Sequence, residues 1–422
     1  MRWATGMLAV VAAAPAAAQQ VEVTLPEAIQ RALQVQPAMV QALGNQRSMG
    51  AGKRATLGTF LPTVTVGGGV SKNSAQRFDQ NSQRLIPPIP NYSGSLSANV
   101  DLFTGFRRLA NLKSASANLD AAEAGVVTAR FQVQLDTRRA FYGALAAEDL
   151  VRVAESQVRR AQQQLQISVE KLRAGSATRS DSLRSTVDYG NARIALLEAR
   201  ANLATTQANL GRQIGVDGPV RAVPDSLLPP LPDTAALRSA ALESAPQVER
   251  DEALARAARA GAWAARAQYI PSLSFSFGDN RQDTLFTNAL VAHRVYNWRV
   301  TLSWTLFNGF AREQQQVTAS VARDNAEADA ADTHREVSAL LTQHLATLAT
   351  AYEKIAIARA NVAAATEDLR VQNERYRVGA ATILDLLTSQ TALTTAEQNL
   401  VQARFDYLIA RAQVEALLGR TL

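Results

Sequence analysis

The chain has no cysteine. That excludes a disulfide framework, a thiolate site and a lipid anchor on an N-terminal cysteine. After its first twenty residues it also lacks any run of about 18 uninterrupted apolar residues, so no stretch reads as a transmembrane helix. If the protein crosses a membrane, it must do so with strands. Aromatic residues are scarce, at 6% of 422, and alanine dominates, which suits long, closely packed helices better than thick mixed cores. There is no P-loop, no G-x-S-x-G and no plausible zinc set. His293, His334 and His344 are isolated, and the "GGG" at 67–69 is not followed by a helix. Neither an enzyme nor a metal or cofactor site is expected. The formal charge is +7, but the arginines that carry it are scattered singly along helical stretches. A nucleic-acid surface would gather them in a patch with stacking aromatics, so solvated helix faces and no nucleic-acid partner are expected.

The opening "MRWATGMLAVVAAAPAAAQQ" has a basic Arg2, an apolar run from Met7 to about Ala14, and a small-residue "AAA" before Gln19. This is the pattern of a secretory signal peptide, residues 1–18, cut after Ala18, and the run is short for a membrane anchor. Export from the cytoplasm is expected.

The rest of the chain is written twice. "KLRAGSATRSDSL" (171–183) is answered by "RYRVGAATILDLL" (375–387), with glycines Gly175 and Gly379 aligned and aspartates Asp181 and Asp385 six residues later. "LFTGF" (102–106) is answered by "LFNGF" (306–310), and "FLPT" (60–63) by "YIPS" (269–272). Two structural repeats are expected, 19–222 and 234–422, joined by the proline-rich "VPDSLLPPLPD" (223–233), which is extended and helix-incompatible.

Each repeat carries two alternating segments that read as strands, at about 62–72 and 94–104, then 271–280 and 295–307. "SLSFSFG" sets Leu273, Phe275 and Phe277 against serines, and "NWRVTLSWTL" sets Trp298, Val300, Leu302, Trp304 and Leu306 against Asn, Arg, Thr and Ser. Such segments have about the 9–11 residues of a tilted membrane strand. Trp298 and Trp304 share a face roughly 20 Å apart, close to the spacing of two aromatic girdles. A soluble antiparallel sheet alternates equally well, yet nothing obvious remains to cover the apolar face.

Between strands and glycines, 107–174 and 311–378 contain no proline, and helices of that length span roughly 100 Å. They need coiled-coil partners. Segments 176–216 with 234–268, and 380–418 with 24–58, supply return paths of matching length. Gly175 and Gly379 then mark hairpin ends far from the strands. Four strands cannot close a barrel. Two copies would give eight strands with a filled lumen, while three give twelve and room for water. The expected fold is an α+β membrane protein: a trimeric 12-stranded β-barrel continued by a long α-helical coiled-coil tube, with an internal tandem repeat.

Taken together, the tandem repeat, the "LF(T/N)GF" turns and "RYRVGAATILDLL" make the chain resemble the TolC-type outer-membrane efflux channels, over nearly the whole mature chain. The resemblance implies a homotrimer in outer-membrane lipid with a long periplasmic extension. It implies a passive exit channel of a tripartite efflux or type I secretion system, partnered by a periplasmic adaptor and an inner-membrane pump. It places Asp385 on an acidic ring at the tunnel entrance and Thr388 where a second acid is usual. It makes Tyr376 and Asp181 candidates for links that close the tip. Ala381 stands where the family has a gating arginine, with Arg179 or Arg377 as possible substitutes, and Ser180 where a threonine is usual. Adaptor docking falls on Val378, Gly379 and Ala380, and on Gly175 at the first tip, where Ala174 replaces a valine.

Each residue has a plainer reading. Asp181 and Asp385 suit the first turn of a helix, and Tyr376 suits interhelical packing. The alternative function is a non-conducting periplasmic adaptor or structural coiled-coil protein, though an adaptor would carry a soluble β-rich module around a single hairpin.

Overall fold

The computed structural model describes residues 21–72, 74–81, 83–86, 89–224, 228–233, 245–286 and 294–422. The expected signal peptide, part of the linker and His293 lie outside the described residues. In chain order the elements are β1 (Val21–Val23), α1 (Leu25–Val35), α2 (Pro37–Gly58), β2 (Thr63–Ser71), the short β3 (Arg77–Asp79) and β4 (Arg84–Ile86), and β5 (Asn91–Phe103). Then come α3 (Arg107–Arg173), α4 (Arg179–Ile214), β6 (Val220–Ala222) and α5 (Pro246–Arg266). Last are β7 (Ser272–Asp283), β8 (Arg294–Ser303), α6 (Ala311–Arg377) and α7 (Ile383–Leu418).

The helices α3 and α6 are each 67 residues long, about 100 Å at 1.5 Å per residue. Propensity alone does not hold so long a rod; seams do. Val337, Leu341, Leu345, Leu348, Ala351, Ile355 and Ala358 recur every three or four residues along α6. They bury against Ala403, Tyr407, Ala410 and Val414 of α7, a coiled-coil spacing. Midway along the rod, β1 and β6 pair in parallel. Val23, Val220, Leu210, Ile214 and Phe141 cluster beneath them, so a belt ties the chain's start to its middle. Tyr407 donates to the Pro229 carbonyl at 2.9 Å, which fastens the linker to α7. No helix among the described residues is long and apolar enough to cross a membrane.

The four long strands form one antiparallel sheet in the order β2-β5-β7-β8. Register sorts its faces. Val64, Ala98, Phe277 and Trp298 lie in one row, with Val66, Leu96, Asp279 and Tyr296 in the next, and Val100, Phe275 and Val300 on the other side. The opposite face is mostly Ser, Thr, Gly and Asn, with Asp101, Gln282 and Arg299 and one apolar residue, Val295. Among the described residues neither edge strand, β2 or β8, has a further partner.

The strand limits differ from expectation. β5 starts at Asn91 and β7 runs to Asp283, while β8 stops at Ser303 rather than 307. The reason for the early stop is local. The Arg312 guanidinium takes the carbonyls of Thr305 (2.8 Å) and Leu306 (3.2 Å), and it stacks on the Tyr269 ring at 4.2 Å. Trp304 Nε1 donates to the Tyr269 carbonyl. Arg108 repeats the device in the first half, on Leu102, Thr59 and the Phe60 ring. The aromatics of "FLPT" and "YIPS" are thus platforms for arginines that join sheet to helix. Gly105 fits the same junction, since at φ +61° a Cβ there would stand 2.7 Å from the Ala267 carbonyl. The expected helix 24–58 is broken at Pro37, because the residue before a proline avoids helical geometry and Gln36 is extended.

Candidate functional site

At the end of the rod farthest from the sheet, α3 turns into α4 through 174–178, and α6 into α7 through 378–382. Gly175 (φ +72°) and Gly379 (φ +80°) are left-handed. The following amides close back onto the long helices, Ser176 onto the Lys171 carbonyl (2.9 Å) and Ala380 onto the Arg375 carbonyl (2.7 Å). The next helices start on capping boxes. Thr178 receives the Asp181 amide and gives its own amide (2.9 Å) and hydroxyl (2.8 Å) to Asp181 Oδ2. Thr382 and Asp385 repeat the pattern at 2.9 and 2.7 Å. The plainer reading of both aspartates therefore describes their local contacts.

A cap does not remove the charge. The Asp385 side chain is exposed, and the Thr382 hydroxyl and amide, with Arg375 nearby, hold its carboxyl below the ordinary aspartate value. Thr388 lies one turn along α7, its hydroxyl donating to the Leu384 carbonyl.

The structure arranges the expected link residues differently within the chain. Tyr376 is buried, at 7% exposure, and its hydroxyl lies near Gln164 but has no partner in hydrogen-bond geometry among the described residues. Burial first, and then the Asp181 charge, push its phenol up, so Asp181 is near Tyr376 without bonding to it. Arg179 and Ser180 are exposed, and among the described residues Arg377 pairs with Glu374, at 3.9 Å. The residue that holds Tyr376 is Lys171. Its ammonium sits 4.2 Å from the ring centroid and donates to the Tyr376 carbonyl. Lys171 stands four residues before Gly175, as Arg375 stands four before Gly379. The repeated motif thus offers a basic residue at each tip without showing which ring it meets.

A second link joins the same two hairpins higher up. Arg160 of α3 forks onto Glu397 of α7 at 3.0 and 3.3 Å and reaches Thr394 at 3.1 Å. Between the two links lies a cavity of about 260 Å³ lined by Gln164, Ile167, Leu369, Tyr376 and Gln390. The Gln164 amide nitrogen and Tyr376 hydroxyl facing this seam are unsatisfied. A polar, underpacked seam bridged at two points can part at lower cost than an apolar one. The tips themselves are bare: Val378 is 76% exposed, and Gly175, Gly379 and Ala380 are exposed around it. At the sheet, Trp298 and Trp304 are both exposed. Among the described residues no group of histidines and acids has metal-site geometry.

A family model described as outer membrane efflux protein matches residues 28–216 and 237–420. Outer membrane efflux protein BepC of Brucella suis is 22% identical over 381 residues, which cover 86% of this chain and 77% of that protein. Pyoverdine export outer membrane protein OpmQ of Pseudomonas aeruginosa is 27% identical over 346 residues, 78% and 70% of the two chains. Among solved structures, the CmeC outer membrane channel of Campylobacter jejuni aligns with a TM-score of 0.82 at 15% identity. That alignment covers 94% of this chain and 85% of that one, so the fold is shared.

Proposed function

This chain belongs to the outer membrane efflux protein family, and on that footing we propose that three copies of it close into one conduit. It is an outer-membrane exit channel, and channels of this family work with periplasmic adaptors and inner-membrane pumps. The observation that carries the trimer is the sheet. It has four strands, an apolar face and two unpaired edges, and unpaired edges are not tolerated in lipid. Pairing β8 of one copy with β2 of the next is a head-to-tail contact, which closes into a ring. Three copies make twelve strands, with the Ser, Thr, Gly and Asn face inward around water. The apolar face lies against lipid, with Trp304 at its lower girdle. Six residues up a tilted strand raise Trp298 only about 15 Å, so it sits within the band of about 25 Å rather than on the second girdle expected from spacing along the strand.

The equal lengths of α3 and α6 and the two matched segments support two structural repeats, 19–222 and 234–422, with 1–18 as an export signal. The helices form the periplasmic tube, its tips pointing away from the membrane. Exposed Asp385 from three copies forms an acidic ring at the entrance, with Thr388 behind it. Lys171, rather than Arg179 or Arg377, supplies the cation on Tyr376 that keeps the α6–α7 hairpin against the α3–α4 hairpin. Val378, Gly379, Ala380 and Gly175 are the surface offered to an adaptor.

The natural chain lacks cysteine, so introduced pairs report cleanly. Thr65→Cys on β2 combined in turn with Asn297→Cys, Arg299→Cys or Thr301→Cys on β8 should give, for one pair, an oxidised ladder ending at three chains. A ladder ending at two, or none with any pair in membranes, would refute the trimer.

A further inference from the structure

The row of the sheet beyond Leu96 and Tyr296 holds Gly68, Gly94, Arg281 and Arg294, side by side on the apolar face. Below it, in the rows from Leu273 to Trp298, that face carries no charge. Arg281 Nη2 and Arg294 Nε both meet Oδ2 of Asp279, at 3.2 Å each. Asp279 is 4% exposed, and its Oδ1 has no hydrogen-bond partner among the described residues. One buried carboxylate thus sets two guanidiniums from neighbouring strands next to each other. The Arg294 side chain is 59% exposed, and its terminal nitrogens enter no ion pair among the described residues. Neither glycine carries a side chain, and the space beside Gly68 is open. A Cβ on Gly68 would meet only the Ser93 carbonyl, at 3.8 Å. Asp283, one row farther out, is engaged by the amides of Thr284 (2.6 Å) and Leu285 (3.1 Å).

Height decides what this bay meets. Arg294 is ten residues from Trp304, about 33 Å along a strand and about 25 Å along the normal at the usual tilt, which is the height of a barrel's apolar band. The helices leave the Trp304 end, so the arginine row stands at the outer leaflet's headgroups. The lipid there, lipopolysaccharide, carries phosphates, and a guanidinium fork matches phosphate geometry. We infer that Arg281 and Arg294, held by Asp279 beside the Gly68–Gly94 bay, form a binding site for the lipid A phosphate of lipopolysaccharide on the outer wall of the barrel. This rests on the apolar face lying against lipid, as proposed above.

The test uses the full mature protein, purified in detergent and titrated with lipid A, dephosphorylated lipid A and phosphatidylglycerol, with bound lipid counted by native mass spectrometry. Wild type and Arg299→Gln, which alters the opposite face of the same strand, should hold lipid A about tenfold more tightly than its dephosphorylated form. Arg281→Gln/Arg294→Gln should lose that preference while keeping wild-type conductance. If the double variant does not assemble, Arg294→Gln alone should show a several-fold loss. An unchanged preference in the variant, or phosphatidylglycerol binding as tightly as lipid A, would overturn the site. Loss of conductance in wild type would instead count against the channel.

Discussion

Lys171→Ala should loosen the resting tip, and the structure gives the scale. The substitution removes a charge-assisted hydrogen bond to the Tyr376 carbonyl and an ammonium 4.2 Å from its ring. Lys171 is partly exposed, so each contribution belongs at the low end: about 1.5 kcal/mol for the bond and about 0.5 for the cation–π contact. Roughly 2 kcal/mol per copy corresponds to about 30-fold in the balance of closed to open hairpin. Three copies moving together set an upper bound of about 6 kcal/mol. Single-channel recording in planar bilayers should show open dwells lengthened at least tenfold, and cells carrying the variant should leak large antibiotics inward. Tyr376→Phe is the discriminating control. Its hydroxyl has Gln164 near it but no partner in hydrogen-bond geometry among the described residues, so resting behaviour should not change. If Tyr376→Phe opens the tip and Lys171→Ala does not, closure runs through the hydroxyl and the assignment to Lys171 is wrong.

Three more expectations follow from the geometry. Asp385 is held low by Thr382, so its charge, present above the ordinary aspartate value, persists as pH falls below it; Thr382→Val should move the loss of cation preference to higher pH, read from reversal potentials between pH 3 and 6. Arg312→Ala frees the Thr305 and Leu306 carbonyls and the Tyr269 face, so heat-stable oligomers on gels should fall several-fold, with Arg108→Ala acting alike. Phe141→Ala hollows the fully buried belt beneath β1 and β6 and should cost about 3–5 kcal/mol, seen as a lower unfolding midpoint in denaturant with helix content retained below it.

Much of the architecture is legible because it is periodic. Alternation placed the strands to within a few residues, and the lack of breakers placed α3 and α6 to within one. Strand ends were less legible because they depend on distant partners: β8 stops where Arg312 takes the next carbonyls, and nothing in "WTLFNGF" announces that. β1 and β6 were not expected at all, since three-residue strands have too few positions to show a period. The aspartates illustrate a different limit. Spacing after a glycine marks a capping acid and a pore acid alike, and the structure shows the cap while the ring needs other copies. The cation on Tyr376 was sought at position 381, with Arg179 or Arg377 as substitutes, whereas it comes from Lys171, four residues before Gly175. Contacts between halves do not follow from offsets within each half.

The most direct test of the account is the current through single molecules of the purified protein in a planar bilayer under a salt gradient, wild type beside Asp385→Asn. The account predicts discrete conductance steps with a reversal potential favouring cations, and a shift toward zero in the variant. Inserted protein that passes no current, even when Lys171→Ala is added, would contradict a water-filled path from the barrel to the tips.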